Sequence, residues 1–333
     1  MKAGEPSETL PSQLTGVLAP VLGAVTIERL RRLTGGASRA TWAFDAVTAA
    51  GRRALILRTG PPDEIHAGME LEARAQAAAR ATGAPVPDIL VADNSPAALG
   101  NPFLICAEIS GETVVRRIDR ALDDAGRARL LVQCAQALAA IHQAEPGDLT
   151  HSGLDDQDQL AGCRSQLDAY FDSRDDTSAT FERAFRWLAV RRPAAIPARL
   201  VHGDFRMGNL IVDGSDLAAV LDWEMVHLGD VCEDLAWFCL RAWRFGAPAE
   251  RGAGGLGSIE SFLAAYEQAS QTTVDRARFG WWLVLGTLRW GVICRYQAQR
   301  HLTGQSRSVE LATIGRRVAE TEWDLLDLLE QAS

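Results

Sequence analysis

The strand-forming segments of this chain are confined almost entirely to its first third, and that segregation limits the folds open to it. Leu33 and Thr41–Phe44 flank a glycine turn, Thr34-Gly35-Gly36-Ala37-Ser38, and Arg53–Leu57 reads as a third short strand. A helix rich in alanine, glutamate and arginine, all good helix formers, is expected over Glu64–Ala81. Further strands follow at Ile89–Ala92 and Pro102–Cys106. From Ala121 onward helical spacing dominates, as in Leu130, Leu131, Cys134, Leu138 and Ile141. One β interlude interrupts it: Arg199–His202, Leu210–Val212, the turn Asp213-Gly214-Ser215 and Ala218–Leu221. Helices are expected at Gln13–Ala24, Glu233–Arg244, Ser258–Ala269, Arg278–Arg300 and Val309–Leu329. Strand and helix do not alternate as in a βαβ fold, so the expected class is α+β with two lobes, a small antiparallel-sheet lobe first and a larger, mainly helical lobe after it. The divisions expected are 1–24 as a disordered tail (1–12) and weak helix, 25–106 as the N-lobe, 107–111 as a hinge and 112–333 as the C-lobe.

Composition narrows the function. Of 34 basic residues only Lys2 is a lysine, so chemistry that needs a buried lysine must be absent or be carried out by arginine. The net charge of −9 argues against a nucleic-acid partner. The six cysteines form no C-x-x-C pair and sit in apolar runs, which reads as small buried hydrophobes in a reducing compartment rather than disulfides or zinc ligands. The polar start MKAGEPSETLPSQ has no apolar signal-peptide region, and the most apolar run, Trp281–Leu288, ends at Arg289, well short of the roughly 20 residues of a membrane span. The expectation is a cytoplasmic protein with no membrane partner.

The segment Leu200–Trp223 carries the chemistry. Asp204 and Asn209 stand with four residues between them, and Asp222 ends a strand after a short hairpin. Phosphoryl transfer calls for a carboxylate to accept the proton of the attacking hydroxyl, and for an amide oxygen and a second carboxylate to hold Mg²⁺ against the phosphates. One loop and one hairpin supply all three.

These residues resemble a known family. His202-Gly203-Asp204-Phe205-Arg206-Met207-Gly208-Asn209, followed by Leu221-Asp222-Trp223-Glu224, is similar to the aminoglycoside phosphotransferase/choline kinase family of protein-kinase-like enzymes. Leu33–Ser38, Leu57-Arg58, Pro85-Val86-Pro87, Gly229-Asp230 and Glu233–Trp237 extend the resemblance. Arg289-Trp290, Arg300–Gly304 and Gly315–Glu320 bring it closest to the branch associated with acyl-CoA dehydrogenases of types 10 and 11. The resemblance implies a protein-kinase-like fold, ATP and Mg²⁺ as cofactors, and a nucleotide-binding N-lobe. By the same resemblance, Asp204 is the base, His202 shapes the catalytic loop, and Arg206 stands where a phosphate-contacting lysine is common. Asn209 and Asp222 are the magnesium ligands. Gly35, Gly36 and Ser38 cover the phosphates, Arg58 replaces the strand lysine with Glu72 as its partner, and the main chain at Cys106, Ala107, Glu108 and Ile109 receives adenine.

The acceptor stays open at this level. A small hydroxylated molecule is implied, either a hydroxyacyl-CoA or related metabolite, with a functional link to an acyl-CoA dehydrogenase, or an aminoglycoside. A non-catalytic nucleotide-binding module is the rival from another class. Glu224 either approaches the metal or faces solvent. Asp230 and Glu233 fit a capping box, and Asp234 reads as support for the catalytic loop. Trp237, Trp281, Trp282 and Trp290 read as core. His142 and His227 read as ordinary satisfied histidines. Arg289, Arg295, Arg300, Arg316 and Arg317 are either solvated helix faces or the lining of an anionic site.

Overall fold

A computed structural model describes residues 9–33, 39–61, 67–145, 158–170 and 178–332. The expected phosphate turn, with Gly35, Gly36 and Ser38, lies outside the described residues.

Helix α1 (Leu10–Leu22) precedes three strands joined in sequence, β1 (Thr26–Leu33), β2 (Ala40–Thr48) and β3 (Gly51–Thr59). Helix α2 (Met69–Ala81), β4 (Ile89–Asp93) and β5 (Phe103–Ala107) complete this half. The sheet order is β1-β2-β3-β5-β4, and every neighbouring pair is antiparallel. Side chains alternate between the two faces of each strand. Leu55, Leu57, Phe103 and Ile105 therefore pack with Leu14 and Leu18 of α1, while Ile56, Leu104 and Cys106 pack with Met69 of α2. Arg58 is two residues beyond Ile56, which puts it on the face that α2 covers.

The chain then crosses to the helical half. Gly111 has φ 145°, and a side chain there would collide with Ile211 and the Val212 carbonyl. The close approach lets Glu112 and Val212 exchange backbone hydrogen bonds of 2.8 and 3.0 Å. Helices α3 (Val115–Ala121), α4 (Asp124–Gln143), α5 (Gln159–Tyr170) and α6 (Ala179–Val190) follow. Next come β6 (Arg199–Val201), β7 (Leu210–Asp213), β8 (Asp216–Val220) and β9 (His227–Gly229). Helices α7 (Cys232–Phe238), α8 (Ile259–Ser270), α9 (Arg276–Leu302), α10 (Val309–Gly315) and α11 (Val318–Gln331) end the chain. Asp275 caps α9 by accepting from the N–H groups of Ala277 and Arg278, and α9 packs against α6, α7, α10 and α11.

The α+β class and the order of the halves agree with the sequence pattern, and several details differ. Leu10–Ser12 are helical rather than part of a disordered tail, because Pro11 sits in the first turn, where its missing N–H is not needed. The helix expected over Glu233–Arg244 stops at Phe238 and gives way to a tight 3-10 turn at Arg241–Arg244. The helix expected over Val309–Leu329 breaks after Gly315, where any Cβ would strike Ala298 of α9. The three-residue strand β9, paired with β6, was not expected at all. The six cysteines are free and buried, as the sequence indicated.

Candidate active site

The loop after β6 is built around buried Asp234 of α7. Its carboxylate accepts the backbone N–H of His202 at 2.7 Å and of Gly203 at 2.9 Å, and it faces His142 Nε2 at 3.1 Å. Burial favours the protonated form of Asp234, but hydrogen bonding and charge from His142 and His202 outweigh it and hold the carboxyl below its usual range. His202 is buried too. It meets the Leu221 carbonyl through Nε2 (3.0 Å) and the Asp204 N–H through Nδ1 (3.2 Å). Those partners fix the neutral tautomer with the proton on Nε2, and burial depresses its pKa. His202 thus ties the loop to the end of β8 and points its nitrogens at backbone. Gly203 has φ 82° and lies against the Met225 carbonyl, so only glycine fits there.

This scaffold presents Asp204. Its carboxylate accepts from Arg206 Nε (3.0 and 3.1 Å), Asn209 Nδ2 (2.7 Å) and Trp237 Nε1 (2.8 Å). Asn209 Nδ2 also bonds the Asp204 carbonyl at 2.9 Å, so the amide oxygen is the end of Asn209 free for a cation. Backbone pairing of Leu221 N–H with the Asn209 carbonyl (2.8 Å) sets Asn209 beside the end of β8. There Asp222 adopts left-handed backbone, φ 68° and ψ 61°, which aspartate tolerates better than most residues.

The sheet half closes on the same point. Arg58 Nη2 donates to Asp222 Oδ1 at 2.6 Å and Nη1 to Glu72 Oε2 at 3.4 Å. Burial opposes the charge on Arg58, but Asp222 and Glu72 more than restore it and raise its pKa. Burial also raises the pKa of fully buried Glu72, against the pull of Arg58 and Arg39. Arg39, not singled out in the sequence, donates to Glu72 and, at 3.1 Å, to the Ala67 carbonyl. Glu224 turns toward Arg39, at 3.6 Å. Just before the expected hinge, Cys106 is buried between β3 and β4, with its thiol pushed up to about 11 by burial. The Ala107 N–H bonds the Asp88 carbonyl and the Glu108 N–H bonds the Ala54 carbonyl, so these two donors are already engaged before Ile109.

The fold therefore gathers Asp204, Arg206, Asn209, Asp222, Arg58 and Glu72 at one place, with His202 beneath them. Two participants escaped the sequence reading. Trp237 is core, as expected, but its indole N–H reaches Asp204; Arg39 carries no local signal. The capping box at Asp230 is not formed. Glu233 is drawn instead to His227 (3.0 Å) and Arg289 (2.7 Å), and the Asp230 carboxylate holds Arg278 (2.5 Å), Trp282 (2.8 Å) and the Cys232 N–H. Among the described residues no three His, Cys, Asp or Glu side chains cluster as a metal site. Asn209 and Asp222 supply two oxygens, a set that suits an Mg²⁺ ion completed by phosphate and water.

In comparison with known proteins, residues 29–282 match the phosphotransferase enzyme family. This chain belongs to that family. Among curated relatives, acyl-CoA dehydrogenase family member 10 of Mus musculus is 27% identical over 295 residues, covering 82% of this chain and 27% of the relative. Acyl-CoA dehydrogenase family member 11 of Pongo abelii is 25% identical, covering 81% and 37%. The chain thus spans about a quarter to two fifths of the relatives it matches. Among solved structures, a Ralstonia eutropha protein classed with the aminoglycoside phosphotransferases superposes with a TM-score of 0.73 at 21% identity, covering 94% of this chain and 97% of that one. A thermostable mutant of aminoglycoside phosphotransferase APH(4)-Ia, in complex with ADP and hygromycin B, gives 0.62 at 16% identity, covering 96% and 98%. Both share the kinase-like fold. No helix among the described residues is long and apolar enough to cross a membrane.

Proposed function

We propose that this family member is an ATP- and Mg²⁺-dependent kinase of small molecules, acting in the cytoplasm on an alcohol group. The convergence of Asp204, Asn209 and Asp222 with the Arg58–Glu72 pair carries this reading. The acceptor hydroxyl oxygen bonds to the γ-phosphorus as the bond to the β,γ-bridging oxygen breaks, ADP leaves, and the hydroxyl proton passes to Asp204. Arg206, Asn209 and Trp237 hold Asp204 in place for that transfer. Arg206 stays beside the reacting oxygens, with its guanidinium 5.1 Å above the Trp243 ring. Asn209 and Asp222 would hold Mg²⁺, which neutralises charge between the phosphates when bound. Arg58 then exchanges Asp222 for the α/β phosphates while Glu72 and Arg39 keep it aligned. Gly35, Gly36 and Ser38 would cover the phosphates, with Cys106–Ile109 along the adenine edge and residues 107–111 as the hinge. Most of the catalysis is positioning and electrostatic stabilisation.

The names of the curated relatives favour a hydroxyacyl-CoA or related hydroxylated metabolite as acceptor, and a functional link to an acyl-CoA dehydrogenase. The APH(4)-Ia complex favours an aminoglycoside instead. A non-catalytic nucleotide-binding module would be expected to lack one of the three site residues, and all are present. Asp204→Asn decides for or against the base: ADP release in a panel of hydroxylated acceptors should fall by about 10²–10⁴-fold, while Mg-ADP affinity stays near the wild-type value. Undiminished phosphorylation by the variant would remove Asp204 from that role.

A further inference from the structure

A cleft of about 840 Å³ opens in the helical half, within the range of about 300–1,000 Å³ common for small-ligand sites. Its walls are the Arg241–Arg244 turn, α9 and the start of α11, and they include Arg116, Arg241, Arg244, Arg317, Trp290 and Trp323. Four arginines face two carboxylates, Glu320 and Asp324, in a chain whose net charge is −9. Both carboxylates are already paired. Asp324, together with Asp327, holds Arg241, and Glu320 holds Arg317 at 3.2 Å. Arg244 and Arg116 make no ion pair with a described carboxylate. Burial and the neighbouring Arg241 hold the Arg244 guanidinium below its ordinary pKa, a strain that a bound anion would relieve.

Three indoles in tilted contact run from the catalytic carboxylate to the cleft wall. Trp237, 2.8 Å from Asp204, packs on Trp243 with centroids 5.5 Å apart, and Trp243 packs on Trp290 at 4.7 Å. A small void lined by Arg116, Arg244, Phe245 and Met207 adjoins it on the side of the catalytic loop. Trp323 is an exposed indole on the same wall, open to an apolar ligand.

Building on the phosphotransferase reading, we propose that this cleft seats the acceptor and that the acceptor is an amphiphilic oxyanion: Arg244 and Arg116 hold its phosphate or carboxylate, Trp290 and Trp323 line its apolar stem, and its hydroxyl reaches Asp204. A polycation would meet there the guanidinium groups of Arg244 and Arg116, which make no ion pair with a described carboxylate. The test is binding to the protein loaded with Mg-ADP, which blocks the nucleotide site. Coenzyme A presents phosphates on an apolar arm, decanoate a carboxylate on an alkyl stem, and kanamycin a polycation. Coenzyme A or decanoate should bind, more weakly as salt rises, and whichever binds tighter identifies the oxyanion. Arg244→Glu and Arg116→Glu should each weaken that binding at least about tenfold, with Mg-ADP affinity and melting temperature unchanged, and Arg244→Lys should retain part of it. Kanamycin as the sole binder, binding of neither oxyanion, or oxyanion binding indifferent to both charge reversals would each overturn the proposal. Failure of the wild type to bind Mg-ADP would instead overturn the phosphotransferase reading beneath it.

Discussion

Asp204 receives four hydrogen bonds from three side chains, two of them on its own loop and one on α7. Arg206 and Asn209 are supplied by the same loop, so their spacing was visible in the sequence. Trp237 comes from α7, and its periodicity marked it only as core. A hydrogen bond to a charged group is worth about 1.5–3 kcal/mol net, enough to decide where a carboxylate points. Trp237→Phe keeps the ring packed against Trp243 and removes that single donor. Steady-state kinetics of the variant should give a kcat about tenfold or more below wild type with KM for ATP unchanged. A fall in ATP affinity with kcat preserved would assign Trp237 to packing alone. Arg58 was legible through the family resemblance, as the residue standing for the strand lysine, and the fold puts it on the α2 face of β3. Arg39 was not, since nothing near it in sequence announces that it reaches Glu72. Arg58→Ala leaves buried Glu72 to Arg39 alone and frees Asp222, so calorimetric ADP affinity and melting temperature should both fall.

At the level of elements, long periodic stretches were legible and short ones were not. β2 and β3 carry enough alternating apolar residues to declare themselves, whereas β9 has three residues and exists because β6 is there to pair with it. The same tertiary pull undid the capping box: Glu233 serves His227 and Arg289 rather than the end of its own helix. That cluster fastens β9 to α7 and α9, and it makes stability depend on pH. Burial disfavours the charged His227 ring, but Glu233, with the Met225 carbonyl at 2.9 Å, overcomes it and raises the pKa above the ordinary 6.5. A histidine whose pKa is raised by folding stabilises fully below the unfolded value and loses that contribution as pH rises through the folded one. Thermal melts of His227→Gln should therefore differ most from wild type below pH 6.5, with the gap closing as pH increases. A gap that widens with pH would mean that His227 is neutral in the fold.

Across the whole molecule, the two halves meet through backbone bonds, ion pairs and apolar packing, part of it at the site. The Ala67 N–H bonds the Glu224 carbonyl and the Val220 N–H the Pro85 carbonyl, both at 2.8 Å, and Thr82 Oγ1 donates to the Ala140 carbonyl at 2.7 Å. The Arg58–Asp222 and Arg39–Glu224 pairs also cross between the halves, and Leu71, Ala75 and Ala79 of α2 pack into the core of the helical half. Segregation of strands from helices made the two halves readable, but their junction was not, because each of its backbone bonds, ion pairs and apolar contacts depends on what lies across from it. A ligand touching Arg58 on one side and Asn209 and Asp222 on the other bridges the halves, and it stabilises the fold by mass action, about 2.7 kcal/mol at a hundred times its dissociation constant. ADP should raise the melting temperature, and Mg²⁺ with ADP should raise it further than ADP alone. Asp222→Asn separates the two contributions: without nucleotide it loosens the Arg58 link and melts lower, and with ADP the extra increment from Mg²⁺ should vanish while the increment from ADP persists through Arg58. A full Mg²⁺ increment in the variant would place the cation on other ligands and leave Asp222 as a partner of Arg58 only.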